Sequence, residues 1–245
     1  MHCANKFIIY GHRGAPAYYP ENTLSSFELA LVQGANGLET DIQVSRDGRL
    51  VLFHDNDMKR VTGVSGRISD YSWQELQEMF VYSRDGKLKD KILDLGSFCD
   101  KFAHLKIVFA LELKSLEIEE ELLKFVEEYD LESKTFITSF EYDILQNIRR
   151  YNQKLQLGYL TKQWDKVLIE KMQYINAGQI CLQAETLNTE TVQKIHGLGY
   201  SIRAWGVYNE ELVRHVIKCG VDAGMTVDFP DIALDIQKNI NKIII

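Results

Sequence analysis

The strongest constraint on the fold is a regular alternation between short apolar runs, rich in β-branched residues, and longer stretches of helical periodicity. Strands are predicted at residues 7–11, 37–44, 107–113, 135–140, 155–160, 179–183, 201–207 and 222–227. Strands separated by helices of this length belong to a parallel sheet. Eight such units in 245 residues indicate an α/β fold, a closed (β/α)8 TIM barrel rather than an open doubly wound sheet. No Gly-x-Gly-x-x-Gly follows a strand, as a dinucleotide-binding sheet would require.

The stretches between the strands are predicted as helices. They cover residues 23–33, 118–129, 142–151, 165–173, 189–198, 210–219 and 230–240. In the first of them Leu24, Phe27 and Leu31 fall on one apolar stripe, with Asn22 or Thr23 available as N-cap. Asp228, just before Pro230, is predicted to cap the last helix.

One segment interrupts the alternation. After the second strand, residues 45–48 indicate a turn and residues 50–54 a short return strand. Residues 58 to about 92 are mostly polar, with a helix predicted at 72–79. We therefore expect a single domain over residues 1–245, with a small insertion at about 58–92 between the second and third barrel strands. The insertion is too short for an independent domain, because segments below about 40 residues seldom fold alone.

Composition excludes several classes of function. The formal net charge of −7, with no basic stripe, argues against a nucleic-acid-binding protein. No segment approaches the ~20 apolar residues of a membrane span, and no signal peptide is visible, so we expect a cytoplasmic protein without stable membrane insertion. The cysteines, Cys3, Cys99, Cys181 and Cys219, lack metal-ligand spacing and are expected to be small buried thiols.

Acidic residues gather at the predicted strand ends. Glu39 and Asp41 are two residues apart in one strand, so both project from the same face, roughly 6.5–7 Å apart along the chain. Two anions held together repel each other unless a cation or proton intervenes. Glu112 and Lys114 share a face at the end of the third strand. Since barrel enzymes place their sites at these ends, the three carboxylates are candidate ligands of one hard cation.

Basic and imidazole side chains accompany the acids. His12 and Arg13 directly follow the first strand, and His54 is the last residue of the return strand. Two imidazoles on opposite sides of a phosphorus atom suit acid–base catalysis, with Arg13 and Lys114 supplying positive charge for a phosphate. This set predicts phosphodiester cleavage. Two alternatives stay open: Arg13 and Lys114 serve only as ion-pair partners of the acids, and Asp55 either orients His54 or shapes its turn.

The ordered motifs resemble those of the glycerophosphodiester phosphodiesterase family over nearly the whole chain. They are HRGAPAYYPENT from residue 12, Glu39-x-Asp41, His54-Asp55, Glu112-x-Lys114, Trp205, and GMTVDFP at 224–230. The resemblance implies a barrel with an insertion, one divalent cation, Ca²⁺ or Mg²⁺, and a small-molecule substrate. The implied reaction is hydrolysis of glycerophosphodiesters, the deacylated phospholipids, to sn-glycerol 3-phosphate and an alcohol.

The resemblance also assigns roles by position. It matches His12 and His54 to the acid–base pair, Glu39, Asp41 and Glu112 to the metal ligands, Arg13 and Lys114 to phosphate contacts, and Trp205 to an aromatic beside the substrate. Rim packing is an equally open interpretation of Trp205, and His54 is favoured over His12 as the first base. Two other functions are considered: a phospholipase D-like or cyclising phosphodiesterase acting on intact or lyso-phospholipids, and a non-catalytic binding barrel.

Overall fold

The computed structural model describes residues 7–115 and 117–244 and contains a closed parallel barrel. Its strands are β1 Ile9–His12, β2 Gly37–Val44, β3 Val108–Leu113, β4 Thr135–Ser139, β5 Gln156–Thr161, β6 Gln179–Gln183, β7 Ser201–Val207 and β8 Gly224–Val227. Each strand pairs in parallel with the next along the chain, and β1 pairs with both β2 and β8. The predicted TIM barrel is therefore confirmed.

Helices surround the barrel. They are α1 Leu24–Val32, α2 Leu95–Phe102, α3 Glu119–Glu128, α4 Tyr142–Tyr151, α5 Lys166–Tyr174, α6 Thr189–Gly197, α7 Glu210–Cys219 and α8 Pro230–Ile244. Seven of them match the predicted helices within a few residues. The exception is α2, which lies between the insertion and β3 and was not predicted; the Asp94 carboxylate caps it by accepting a hydrogen bond from Ser97 N at 3.1 Å.

The main core lies between the barrel and the helices. At its β1–β3 side, Phe27 of α1 meets Phe98 of α2 edge to face, with 4.9 Å between ring centroids. Phe98 in turn contacts Phe109 of β3 at 5.7 Å. Aromatic side chains each remove about 150–250 Å² from water, so this cluster fixes the first helices against the strands that carry the acids.

The insertion packs around a small core of its own. The return strand Leu50–Leu52, antiparallel to β2, leads into the insertion and shares its core, and the short helices Lys59–Thr62 and Trp73–Leu76 follow. A hairpin of Phe80–Tyr82 and Lys89–Lys91 follows. Although the segment is mostly polar, it encloses a separate buried cluster of Val51, Phe53, Met58, Val61, Ile68, Leu76, Val81 and Ile92.

The structure also bears on two compositional expectations. Within residues 7–115 and 117–244, no helix has both the length and the apolar character needed to cross a bilayer. Cys99, Cys181 and Cys219 are buried free thiols, as expected. Cys3 lies outside the described residues.

Candidate active site

All of the predicted site residues except Asp41 line a cavity of about 230 Å³ at the C-terminal ends of the strands, and Asp41 lies beside Glu39 and Glu112. The residues that line it are His12, Arg13, Glu39, His54, Glu112, Lys114, Phe140, Leu160, Arg203, Trp205, Gly206 and Thr226. A larger cavity of about 530 Å³ lies at the opposite end, where the strands begin, and none of the predicted site residues lines it. The smaller cavity is therefore the candidate active site.

The His-Arg-Gly turn at the end of β1 requires its glycine. Gly14 has a φ of +94°, and a Cβ there would lie 2.4 Å from Ser26 Oγ on α1. Any other residue would collide with that helix. Arg13 itself is left-handed, with a φ of 54°, and its backbone N–H donates to Glu39 O at 2.9 Å. This turn ties the end of β1 to the strand that carries two of the acids.

The three carboxylates lie together, as predicted. Glu39, Asp41 and Glu112 are buried, and one oxygen of each lies within 4.8 Å of the others. Burial, followed by the charge of Asp41, raises the pKa of Glu39 and raises the pKa of Glu112 to about 7. Among the described residues, Asp41 Oδ1 accepts no hydrogen bond of good geometry and has only an ion-pair contact with Lys114. The three carboxylates repel one another, and a cation between them would relieve that repulsion. Their oxygen atoms are hard donors, which fit a divalent metal ion.

Both basic residues that were predicted to contact phosphate pair with these acids. Arg13 Nε lies 3.0 Å from Asp41 Oδ2, and Lys114 Nζ lies 3.2 Å from Asp41 Oδ1 and also contacts Glu112. Burial alone would raise the pKa of Asp41, but Arg13 and Lys114 outweigh it and hold that pKa well below its usual range. The two cations also line the cavity, so their ion pairs leave them within it.

Each histidine is oriented by a carboxylate. His54 Nδ1 lies 2.7 Å from Asp55 Oδ1, so Asp55 orients the ring. His12 Nδ1 lies 2.6 Å from Asp228 Oδ1. Because a carboxylate only accepts hydrogen bonds, each Nδ1 carries the proton, which leaves Nε2 available for chemistry. The prediction that Asp228 caps α8 is wrong. The Asp228 carboxylate is held by His12 and Arg84 instead. At the start of α8, Ala233 N donates a hydrogen bond to Phe229 O at 3.2 Å.

The two imidazoles have pKa shifts of opposite direction. Burial and Arg13 would lower the pKa of His12, but the hydrogen bond to Asp228, helped by the charges of Glu39 and Asp228, raises it overall. For His54, burial is the largest effect and lowers the pKa despite the opposing influence of Asp41 and Asp55. Titratable groups whose environments separate their pKa values are typical of acid–base pairs.

Sequence reasoning missed Asn22 as a site residue. Asn22 has a φ of 56°, and its Nδ2 donates to Asp41 Oδ2 at 3.1 Å while Thr40 Oγ1 donates to its Oδ1 at 2.8 Å. It is therefore not the predicted cap of α1. Thr23 occupies that position, but its hydroxyl donates to Pro20 O at 2.6 Å. The sequence signal was the residue type, because asparagine adopts the left-handed region more readily than most residues and so suits a sharp turn next to the site.

Arg203 is a second residue that the sequence reasoning missed. It lies in β7 with 1% of its surface exposed, and its guanidinium carbon is 5.1 Å from the ring centroid of Tyr10. Neither Nε nor Nη1 has a hydrogen-bond partner among the described residues. Its charge lies close enough to Glu39 to oppose the rise in that pKa. The sequence did contain a signal for Arg203, because an arginine inside a predicted buried strand is unusual unless it has a partner or a function.

Trp205 forms an aromatic wall of the cavity with Phe140. The two rings meet edge to face, with 5.2 Å between centroids and an interplanar angle of 88°. Trp205 Nε1 donates to Thr161 O at 3.1 Å and to Cys181 O at 3.0 Å. The indole is thus anchored at the end of β7, where it both packs and borders the cavity.

Comparisons with known proteins identify the family and the fold of the chain. The model of the glycerophosphoryl diester phosphodiesterase family matches residues 12–232. A glycerophosphodiester phosphodiesterase of Bacillus altitudinis is 29% identical over 250 residues, covering 94% of this chain and 98% of the relative. The crystal structure of a glycerophosphodiester phosphodiesterase from Thermotoga maritima has a TM-score of 0.77 at 26% identity, covering 95% of this chain and 98% of that one. An Oleispira antarctica phosphodiesterase, solved in complex with the product sn-glycerol-3-phosphate, has a TM-score of 0.84 at 24% identity, with 96% of each chain covered.

Proposed function

Because this chain belongs to the glycerophosphoryl diester phosphodiesterase family, we propose that it hydrolyses glycerophosphodiesters to sn-glycerol 3-phosphate and an alcohol with the help of one divalent cation. The observation that carries the proposal is the meeting of three buried carboxylates and two carboxylate-bound histidines at one cavity. The product named for the Oleispira antarctica structure supports the same substrate class.

The cation would be held by Glu39, Asp41 and Glu112. Their donor set is all oxygen, which suits Ca²⁺ or Mg²⁺. When bound, such an ion stabilises negative charge on phosphoryl oxygens. Arg13 and Lys114, which line the same cavity, would bind the phosphate, the first through its fork of N–H groups and the second as a point charge.

Proton transfer is assigned to the histidines. His54, whose pKa is lowered, is available as the base that takes the proton from the glycerol hydroxyl next to the phosphate. That oxygen attacks phosphorus, the bond from phosphorus to the alcohol oxygen breaks, and His12 protonates the leaving oxygen. His12 suits the role of acid because its pKa is raised. Water then opens the cyclic phosphate with the two roles exchanged, and Trp205 and Phe140 flank the bound glycerol.

The direct test supplies the purified protein with glycerophosphocholine or glycerophosphoethanolamine and Mg²⁺ or Ca²⁺, and measures released glycerol 3-phosphate. Excess EDTA should abolish release, and His12→Ala or His54→Ala should reduce kcat by about 10²–10⁴-fold. His196→Ala is the matched control, because that residue pairs with Asp222 away from the cavity. The proposal fails if both substrates stay intact, and cleavage of lyso-phospholipids alone would favour the phospholipase D-like alternative.

Metal binding also has a readout in stability. At a free ion concentration of 100 times Kd, binding stabilises the folded state by about 2.7 kcal/mol, which corresponds to a rise in Tm of roughly 5–10 °C for a domain of this size. Glu39→Gln should remove most of that rise, whereas Glu128→Gln on the exposed side of α3 should keep it. Differential scanning fluorimetry with and without the ion measures both.

The Glu39→Gln variant also tests the electrostatic argument, through the direction in which its metal-free stability changes. A carboxyl whose folded-state pKa is raised destabilises the fold once pH exceeds its unfolded value. Without metal at pH 7, Glu39→Gln should therefore be at least as stable as the wild type. A clear loss of metal-free stability would contradict the repulsion inferred among the three acids.

A further inference from the structure

The insertion reaches both proposed catalytic histidines through arginines. Arg60 Nε donates to Asp55 Oδ2 at 2.5 Å, and Asp55 holds His54. Arg84 Nη2 donates to Asp228 Oδ2 at 2.5 Å, and Asp228 holds His12. Each ring is thus bound by a carboxylate whose second oxygen is bound by an arginine of the insertion.

The two arginines differ in how firmly they are embedded. Arg60 also makes two hydrogen bonds to Glu21, at 2.7 and 2.8 Å, and Glu21 accepts one from Arg13 at 2.9 Å. Changing Arg60 would therefore disturb a phosphate-binding candidate as well as His54. The carboxylate of Asp228, in contrast, has only His12 and Arg84 as side-chain partners among the described residues. Arg84 is therefore the arginine whose effect on a histidine can be tested without disturbing another site residue.

We propose that Arg84 is a positioning residue for His12, which acts by fixing the rotation of the Asp228 carboxylate. The inference rests on the role proposed above for His12. A terminal carboxylate torsion has a broad, two-fold preference, so a carboxylate bound on one side only is free to turn. With Arg84 on Oδ2, Oδ1 stays directed at His12 Nδ1, and the ring keeps Nε2 for the leaving oxygen.

The hairpin turn that carries Arg84 is itself ordered. Ser83 Oγ donates to Asp85 Oδ1 at 2.7 Å and accepts a hydrogen bond from Leu88 N at 3.0 Å. At the base of the hairpin, Asp90 Oδ2 accepts a hydrogen bond from Ser25 N at 3.0 Å, which ties the hairpin to α1. The hairpin therefore spans from α1 to the end of β8 and presents Arg84 from a fixed support.

Stability alone does not account for the pair. The Arg84 side chain is 58% exposed, and ion pairs with an exposed partner contribute little to folding. If the pair were only a surface ion contact, loss of Arg84 would change neither stability nor activity. A positioning role predicts that stability stays and turnover falls. The two roles therefore differ in a measurable way.

The experiment compares Arg84→Met, Arg84→Lys and the control Lys87→Met in the full chain with saturating Mg²⁺ and glycerophosphocholine. Lys87 lies in the same turn and forms an ion pair with exposed Asp85, away from both histidines. Loss of a hydrogen-bond partner that orients a metal-ligating side chain typically costs 10–100-fold, and we use the lower end of that range for Arg84, which acts on His12 through Asp228. We expect Arg84→Met to lower kcat about tenfold with KM within twofold, Arg84→Lys to recover at least a third of wild-type kcat, and Lys87→Met to match the wild type. All three should unfold within about 2 °C of it.

A second readout is independent of turnover. The ¹⁵N chemical shifts of the His12 ring, assigned by their loss in His12→Gln, report which nitrogen is protonated. At a pH high enough to make the His12 ring neutral, the wild type should hold the Nδ1–H tautomer, and Arg84→Met should mix it with the Nε2–H tautomer. Unchanged shifts with unchanged kcat overturn the inference, as does a change confined to KM, which would make Arg84 a substrate contact. If the wild type does not cleave the substrate, the proposed function fails, while the ring shifts still decide what Arg84 does to His12.

Discussion

His12 and His54 are the same side chain in two environments that shift the pKa in opposite directions. His54 is governed by burial, which lowers its pKa, and His12 by its bond to Asp228, which raises it. In the proposed reaction the base must be neutral and the acid protonated. With His54 as base and His12 as acid, both pKa shifts favour the productive protonation state, in which His54 is neutral and His12 is protonated.

This assignment predicts a bell-shaped dependence of kcat/KM on pH. The acid limb reports protonation of His54, so its midpoint should lie below the ordinary histidine value of about 6.5. The alkaline limb reports deprotonation of His12 and should lie above that value. Asp228→Asn removes the charge that raises the pKa of His12, so the alkaline midpoint should move to lower pH while the acid midpoint stays. The profile is measured over about pH 5–9 at saturating metal.

The opposite outcome is equally informative. If Asp228→Asn moved the acid limb and left the alkaline limb in place, His12 would be the base and His54 the acid. Asp222→Asn is the control, since Asp222 contacts His196 and the backbone N–H of Ile202, outside the cavity. That variant should reproduce both wild-type midpoints.

Residues of the site were predictable where the chemistry is local in sequence. Glu39 and Asp41 share a face because strand side chains alternate, and the structure brings them together with Glu112. The partner of His12 was not predictable in this way. Asp228 is 216 positions away along the chain, and its place before Pro230 equally suited a helix cap. Only closure of the barrel, with β8 beside β1, decides between those two roles.

At the scale of elements, a strand could be predicted when it was long enough to show a side-chain pattern. Residues 37–44 were predicted as a strand and form one with those bounds, because Leu38, Ile42 and Val44 fall on one face at the two-residue period of a strand, between a glycine on one side and a turn on the other. The hairpin of Phe80–Tyr82 and Lys89–Lys91 was missed. Its strands have three residues each, and the second is Lys-Asp-Lys, so neither shows the apolar alternation of a longer strand.

The first residue of β8 is an element boundary that only glycine can occupy. Gly224 has a φ of +110°, and a Cβ there would lie 1.9 Å from the backbone oxygen of Ile8. Backbone strain and overpacking add, so Gly224→Ala should destabilise the fold by about 2–6 kcal/mol. Gly178→Ala, just before β6, meets nothing within 4 Å and should be close to neutral. Urea unfolding followed by circular dichroism measures both, and equal midpoints would contradict the close approach of β8 to the segment before β1.

At the scale of the whole molecule, residues 7–115 and 117–244 form two apolar cores. The larger lies between barrel and helices, and the smaller lies within the insertion. The barrel was predictable because its strand and helix pattern repeats eight times along the sequence. The smaller core was not, because its members, such as Met58, Ile68 and Val81, are isolated apolar residues in a polar segment. Their shared burial depends on how the insertion folds back over the mouth of the barrel.

Two cores imply that the site can be lost before the barrel unfolds, and Ile68→Ala tests this. Ile68 is fully buried in the insertion core, so truncation should cost about 2–5 kcal/mol there while leaving the barrel core intact. Arg60 and Arg84 belong to the insertion and bind the partners of both histidines. Activity of Ile68→Ala should therefore disappear at lower urea than the far-ultraviolet circular dichroism signal. In the control Ile148→Ala, which truncates an equally buried side chain of α4 in the main core, the two transitions should shift together. Coincident transitions in Ile68→Ala would instead mean that the insertion and the barrel unfold as one cooperative unit.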